Sequence, residues 1–225
     1  MSMANTPHVV DASPLSLEDT KVFEENPWER TDEASWRFRE SHVGLPRVAP
    51  LNKLVEALRQ ETDSHVPWID PFCGGVEARI LLVLLRPGPR GAIASNFLSL
   101  ANSDATAKNT VQVLTKVGIG YREITFWNAI PWSGPREENI TSAMLERGAG
   151  MLARLLPLLP PLKAVILIGG EAHRLEPLMP NEPAIHVFKC AHPGPFVWNQ
   201  HRYRAQKQGI FDAFRAAATV AHGPA

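Results

Sequence analysis

Four short apolar runs, separated by segments with helical periodicity, cover most of the chain after residue 80. The runs do not alternate apolar with polar residues, which is typical of strands in a parallel sheet that is covered on both faces. We predict strands at Ile80–Leu85, Glu123–Trp127, Lys163–Ile168 and Ala184–Lys189.

Between and around these runs, apolar residues recur at the spacing of one helix face. The predicted helices are Leu51–Glu61, a segment near Ala105–Val117, one near Glu137–Leu156, one beginning near Glu171, and one near Tyr203–Thr219. Alternating strands and helices predict an α/β fold, specifically a three-layer α/β/α sandwich around a short, mostly parallel four-stranded sheet.

The first 50 residues differ from the rest, and we predict an N-terminal extension over 1–50 and one α/β domain over 51–220. Residues 1–12 lack any pattern of a packed element and are expected to be disordered. Short helices are expected after them, packed on the main domain through isolated aromatic residues. These are Phe23, Trp28, Trp36 and Phe38. The stretch from Val66 to Gly75 is expected to be a loop.

Each predicted strand is followed by an unusual loop. The loops begin with Arg86-Pro-Gly-Pro, Asn128-Ala-Ile-Pro and Gly169-Gly170-Glu171, and the last is Ala191 followed by His192-Pro-Gly-Pro. In open α/β sheets, ligands bind beyond the carboxyl ends of the strands. We therefore expect these loops to meet at one edge of the sheet and to form a site there.

Composition is that of an ordinary globular protein, with 225 residues, 44% hydrophobic and 20% charged. No apolar run reaches the roughly 18 residues of a membrane span, and the N-terminus lacks the order of a signal peptide. We expect a cytoplasmic monomer that contacts no membrane. Two cysteines, Cys73 and Cys190, are too few for a disulfide framework or an iron–sulfur cluster.

The formal net charge is zero, but the charges are unevenly distributed. Residues 1–65 hold 12 acidic and 7 basic residues, whereas residues 66–225 hold 11 acidic and 16 basic residues. No acidic residue occurs between Glu182 and Asp212. This basic segment suits contact with phosphates, although a solvated helix face accounts for it equally well.

Several kinds of site are disfavoured. The histidines have no metal-ligand spacing with acids or cysteines, and neither a Walker loop nor a dinucleotide fingerprint is present. A Gly-x-Ser-x-Gly elbow is also missing, which disfavours a serine hydrolase. We therefore expect neither a metal nor a cofactor.

Three of the loops resemble the motifs of the uracil-DNA glycosylase superfamily. That family has a first motif, in some branches Asn-Pro-Gly-Pro, at the end of the first sheet strand. An asparagine follows a middle strand, and a late His-Pro loop leads into the last helix. The matches here are Arg86-Pro87-Gly88-Pro89, Asn128 and His192-Pro193-Gly194-Pro195, in the same order.

The resemblance implies a glycosylase that removes uracil, or a related deaminated base, from DNA by flipping the base into a pocket. His192 would donate to uracil O2 as the base departs, and Asn128 would bind the O4 and N3 edge. Phe97 would stack on the base, and Phe196, Val197 or Trp198 would fill the vacated space in the duplex. Other implied substrate contacts are Pro87, Gly88, Gly169 and Gly170, and other implied DNA contacts are Arg90 and Arg202.

Arg86 departs from the family pattern. The superfamily places Asp, Glu or Asn at this position to hold the attacking water, and a guanidinium cannot act as a base. Asp70, Asp104 and Glu171 are the candidate replacements. Arg86 and Arg90 instead suit a phosphate or a carbonyl group of the base. The pattern thus indicates a divergent branch without the usual Asp or Asn and without an iron–sulfur cluster.

Structural explanations exist for each residue taken alone. His192 suits a helix cap and Asn128 a turn before Pro131, while Phe97 suits the core. Gly169-Gly170 suits either a phosphate-binding turn or a tight strand-to-helix connection, and Asp70 suits a turn.

Two other functions are also compatible with the sequence. One is a module that binds or traps uracil-DNA or abasic DNA with little turnover. The other is an enzyme that acts on free nucleosides or another small molecule.

Overall fold

The four predicted strands form one sheet, and all of its neighbouring pairs are parallel. The structure is a computed structural model that describes residues 33–135 and 138–223. The expectations for residues 1–32, including Phe23 and Trp28, lie outside the described residues. The sheet strands are β2 (Ile80–Leu84), β4 (Ile124–Asn128), β5 (Ala164–Ile168) and β6 (His186–Cys190).

The sheet order is β4-β2-β5-β6. Nearly every residue of β2, β4 and β5 is buried, as their apolar runs predict for strands covered on both faces. Strand β6 lies at an edge, and its residues are mostly exposed or half-buried. Because the strands are parallel, their carboxyl ends lie at the same edge of the sheet.

Two further strands occur where the sequence predicts loop. Strand β1 (Trp68–Ile69) pairs with β3 (Phe97–Leu98) in parallel. Two residues are too few to show a periodic pattern, so the pairing depends on tertiary contacts. The amide of Asn52 fixes β1, because its Oδ1 accepts from the backbone N–H of Ile69 at 2.9 Å.

The helices form the two outer layers of the α/β/α sandwich. Their bounds are α1 (Glu33–Glu40), α2 (Ala49–Thr62), α3 (Ala92–Ser95), α4 (Ala105–Val117), α5 (Ser142–Leu155), α6 (Gly170–His173), α7 (Pro195–Asn199) and α8 (Arg204–His222). Helix α8 packs on β5, β6 and α4, whereas α2 packs with α5. This confirms the predicted three-layer architecture.

Local capping explains the bounds of α4 and the start of α5. Asp104 caps α4, and Gly118 ends it with a φ of +81°. Helix α5 begins later than predicted, because the Thr141 side chain accepts from the backbone N–H of Met144 and caps the helix there. Helix α5 also approaches the chain after β4 closely, since a Cβ on Gly148 would lie 1.8 Å from the carbonyl oxygen of Ala129.

Two predicted N-terminal aromatic residues pack on the α/β domain. The ring of Phe38 stacks on Phe72 with centroids 5.7 Å apart, and Trp36 stacks on Phe97 at 5.9 Å. Within 33–135 and 138–223, no helix has the length and apolar character needed to cross a membrane.

Candidate functional site

A cavity of about 390 Å³ lies beyond the carboxyl ends of β2, β4 and β5. Its walls come from the loop after β2, the segment after β3, the first turns of α4 and the loop after β6. The floor is apolar and includes Leu82, Leu84, Phe126 and Ile168. A cavity of this size with an apolar floor and polar groups along its walls is typical of a small-molecule or base-binding pocket.

The Arg86 loop forms one wall. Arg86, Pro87, Gly88 and Arg90 all line the cavity, as the sequence predicts for a binding loop. The Arg86 guanidinium, however, is turned to a neighbouring loop: Nη1 donates to the carbonyl of Pro135 at 2.8 Å, and Nη2 pairs with Glu138 at 2.8 Å. Arg86 therefore ties the loop after β4 to the cavity wall.

Arg90 lies further along the same loop. It is exposed, and within the described part of the chain it makes no hydrogen bond or ion pair. Its charge is therefore available to an anion at the mouth of the cavity.

Asn128 is the last residue of β4 and lines the cavity. Its side chain is buried, with the residue 2% exposed, yet Nδ2 has no hydrogen-bond partner among the described residues. Burying an amide donor without a partner costs about 1–3 kcal/mol. A donor left open in this way suits a ligand carbonyl that enters the cavity.

His192 lies in the loop after β6 and lines the same cavity. Two glycines flank it: a Cβ on Gly194 would lie 2.9 Å from its Nδ1, and a Cβ on Gly169 would lie 3.4 Å from its Cβ. Asn109 of α4 holds the loop, because its Nδ2 donates to the carbonyl of Pro193 at 2.7 Å.

The His192 ring is exposed at the rim, but protein packed around it desolvates the charged form and lowers its pKa. The carboxylate of Asp104 raises the pKa and offsets part of this effect. The net lowering favours a neutral imidazole at pH 7, which still carries one N–H donor.

Asp104 also lines the cavity. Its Oδ1 accepts from the backbone N–H groups of Thr106 and Ala107 at 2.8 and 3.0 Å, which caps α4. From the sequence, Asp104 is predicted only as one of three acids that could hold the attacking water.

The structure does not bring Asp70 to the cavity. Its carboxylate is fully buried and pairs with Arg39 at 3.2 Å. The same group also accepts from Ser99, from the Tyr121 hydroxyl at 3.0 Å and from the backbone N–H of Phe72 at 2.8 Å. Its acceptor positions are therefore occupied inside the protein.

Glu171 is likewise outside the cavity. It is exposed and forms an ion pair with Arg174 at 2.7 Å, one helical turn further on. Of the three acids that the sequence offers as replacements at the water position, the structure places Asp104 alone at the cavity.

Phe97 does not reach the cavity wall either. It is 1% exposed, pairs with Trp68 in the β1–β3 ladder and stacks on Trp36. Its neighbours Leu98 and Ser99 line the cavity instead. The ring of Phe97 therefore packs in the core and does not lie at the cavity, where the resemblance implies that it stacks on the base.

Gly169 and Gly170 lie beside the cavity, outside its lining. Gly169 has a φ of +96°, and its N–H donates to the carbonyl of Cys190 at 2.9 Å. Helix α6 has only four residues. The pair therefore makes a tight connection from β5 that leaves room for His192.

Apart from Arg90, the predicted DNA-contacting residues lie in α7 and the turn after it. Phe196 is 56% exposed, and the Arg202 guanidinium lies 5.4 Å from its ring centroid. Trp198 is half-buried against Phe211, with the Lys207 ammonium 4.1 Å from its ring. Phe196 is thus the more accessible of the two aromatic residues.

Sequence reasoning missed Asn102, which lines the cavity and is 6% exposed. Its Nδ2 donates to the carbonyl of Phe97 at 3.1 Å, and its Oδ1 has no partner among the described residues. Thr106 and Thr110 also line the cavity from α4. The sequence did hold a signal for the two threonines: residues four apart lie on the same face of a helix, so Thr106 and Thr110 are expected to face the same way.

No group of three or more His, Cys, Asp or Glu side chains in the described ranges is arranged to hold a metal ion.

Comparison with protein-family models and with curated proteins gives no match. Among solved structures, mimivirus uracil-DNA glycosylase is 14% identical with a TM-score of 0.38, and the alignment covers 79% of this chain and 72% of that one. A variant of mimivirus UNG in complex with UGI is 15% identical with a TM-score of 0.35, covering 72% and 69%. A similarity this weak assigns no residue and no activity to this chain.

Proposed function

We propose that this chain is a DNA glycosylase that hydrolyses the N-glycosidic bond of uracil, or of a related deaminated base, in DNA. The observation that carries the proposal is the meeting of His192 and the unpartnered amide of Asn128 in one cavity. The motif resemblance found in the sequence supports the same reaction.

The chemistry needs a group that stabilises negative charge on the departing base. As the bond between C1′ and the base breaks, its electron pair moves onto the base while the sugar becomes cation-like. The neutral His192 imidazole donates a hydrogen bond to O2, where this charge develops. Because the protein packed around His192 excludes part of the solvent, such a hydrogen bond is stronger there than in bulk water.

Asn128 selects the base. Its free Nδ2 donates to the O4 carbonyl, and its Oδ1 accepts from N3–H, since a side-chain amide offers both groups. A base with an amino group at this edge presents a donor to a donor. In this orientation of the Asn128 amide, uracil therefore binds in preference to cytosine.

The surrounding surface suits nucleic acid. Arg90 lies at the cavity, and Phe196 of α7 lies beside Arg202 in the turn after that helix. Arginines position the phosphate backbone, and the exposed ring of Phe196 enters the stack as the base leaves it.

The direct test incubates the protein with single- and double-stranded oligonucleotides that contain one uracil, followed by alkaline cleavage of abasic sites. We expect cleavage at uracil and none in the matched oligonucleotide that has cytosine at the same position. His192→Ala should lower the rate about 100-fold or more. His186→Ala, which changes an exposed histidine of β6, is the matched control and should leave the rate unchanged.

If the protein releases neither uracil nor any other deaminated base from DNA, the proposal is contradicted. A stable protein–DNA adduct without free base would instead identify a trapping module. Activity on free nucleosides, with no salt-dependent DNA affinity, would identify a small-molecule enzyme.

A further inference from the structure

The cavity contains a carboxylate at a position that the motif resemblance does not assign. Among the described residues that line it, Asp104 is the only Asp or Glu. Asp70 is engaged in the interior and Glu171 on the surface.

The two oxygens of Asp104 differ in their surroundings. Oδ1 accepts from the backbone N–H groups of Thr106 and Ala107, the second and third residues of α4, which orients the carboxylate. Oδ2 makes no hydrogen bond with any residue in the described ranges. A Cβ on Gly91 would lie 2.3 Å from Oδ2, so this oxygen lies against the part of the Arg86 loop that lacks a side chain.

Asp104 also acts on the His192 ring electrostatically, and Asn109 connects its helix to the His192 loop. The carboxylate lies at the N-terminal end of α4, which is the positive end of the helix dipole. One cavity thus contains a fixed anion with an open acceptor oxygen and a neutral imidazole.

Resting on the proposed glycosylase function, we propose that Asp104 binds the attacking water and takes its proton, the task for which Arg86 is chemically unsuited. The water oxygen forms the new bond to C1′, and the bond from C1′ to the base breaks with its electron pair on the base. One proton of the water passes to Oδ2 of Asp104, and from there to solvent or to the released base. The cation-like sugar is also stabilised by the carboxylate charge.

The test distinguishes the role of Asp104 as a helix cap from its role as the base in the reaction. Asn is as good a helix cap as Asp, so Asp104→Asn keeps the acceptor at Oδ1 and removes the charge and the base. We expect an unchanged melting temperature and a single-turnover rate of base release lowered about 100-fold or more, the usual contribution of a general base. Affinity for uracil-DNA should stay equal or rise, because a negative charge near the phosphates is removed.

Thr141→Asn is the control for the cap, because it places the same residue, Asn, at the cap of α5, which does not line the cavity. It should leave base release unchanged. Asp104→Ser, which also caps but lacks a carboxylate, serves as a second variant and should be as slow as Asp104→Asn.

The outcomes distinguish this proposal from the proposed function. A wild-type chain that releases no base contradicts the glycosylase function itself. An active wild type together with an equally active Asp104→Asn contradicts the role of Asp104. If Asp104→Asn and Asp104→Ser both lose DNA affinity and also have a lower melting temperature, the role of Asp104 is only to cap the helix.

Discussion

Gly91 leaves the space that the Asp104 carboxylate occupies, since a Cβ at residue 91 would lie 2.3 Å from Oδ2. Gly91→Ala should therefore displace the carboxylate without removing it. We expect base release to fall about 10-fold or more, because a small displacement of a catalytic group is costly. Single-turnover kinetics on a uracil oligonucleotide measure the effect.

The matched control is Gly150→Ala in α5, where an added Cβ meets no atom within 4 Å. It should leave the rate unchanged and raise the stability slightly, since Ala favours a helix over Gly. A Gly91→Ala variant as fast as the wild type would contradict the placement of the water beside Asp104.

Arg86→Asn should lower activity even though it restores the residue of related branches. The substitution removes the hydrogen bond to Pro135 and the ion pair with Glu138, so the loop after β4 loses its tie to the cavity wall. We expect kcat/KM to fall about 10-fold or more. Glu138→Gln, which keeps a neutral acceptor, should have a smaller effect. A faster Arg86→Asn enzyme would show instead that this position still serves the water.

Asp70→Asn should act on stability. Asp70 and Arg39 are both fully buried, and removing one charge of such a pair costs about 3–5 kcal/mol. Urea denaturation should show a correspondingly lower free energy of unfolding. Asp212→Asn, which breaks an exposed pair with Arg215, should cost less than about 1 kcal/mol. An Asp70→Asn protein with normal stability but no activity would show instead that Asp70 takes part in the reaction.

The lowered pKa of His192 predicts a pH dependence of stability. Because desolvation places the folded-state pKa below the ordinary value of 6.5, the unfolded state binds more protons between the two values. The free energy of unfolding should fall as the pH decreases from about 6.5 to the folded-state pKa. Urea denaturation across this range, compared with His192→Gln, should show a steeper loss in the wild type. Equal slopes would contradict the desolvation of this ring.

Phe196→Ala should affect duplex DNA more than single strands. The ring is 56% exposed next to Arg202, and a filling side chain is needed only where a base leaves a stack. We expect the ratio of double- to single-strand rates to fall several-fold. The single-strand rate of the same variant is the internal control. An unchanged ratio would show that another residue fills the gap.

Hydrophobic patterning was sufficient to predict the sheet. The four apolar runs appear as parallel strands within two residues of the predicted bounds. For β2, β4 and β5 the reason is burial on both faces, which requires continuous apolar sequence, whereas β6 is a largely exposed edge strand. The short pair β1 and β3 was not predicted, because two-residue strands leave no pattern and are held by contacts distant in the chain.

The same reasoning brought Asn128, His192 and the Arg86 loop to one cavity, since the ends of parallel strands share an edge. The sequence did not show which of the candidate acids lies at the cavity. Asp70 faces Arg39, 31 residues earlier, and Asp104 faces the cavity, yet both are polar residues in loops.

The sequence by itself determined the sheet, the loops at its carboxyl edge and the types of side chain those loops carry, because periodicity and chain order encode them. Only the tertiary structure decided which side chains face the cavity. Arg86 meets Glu138 across 52 residues, and Phe97 stacks on Trp36 across 61. Such pairings depend on packing between distant segments, which no local pattern records.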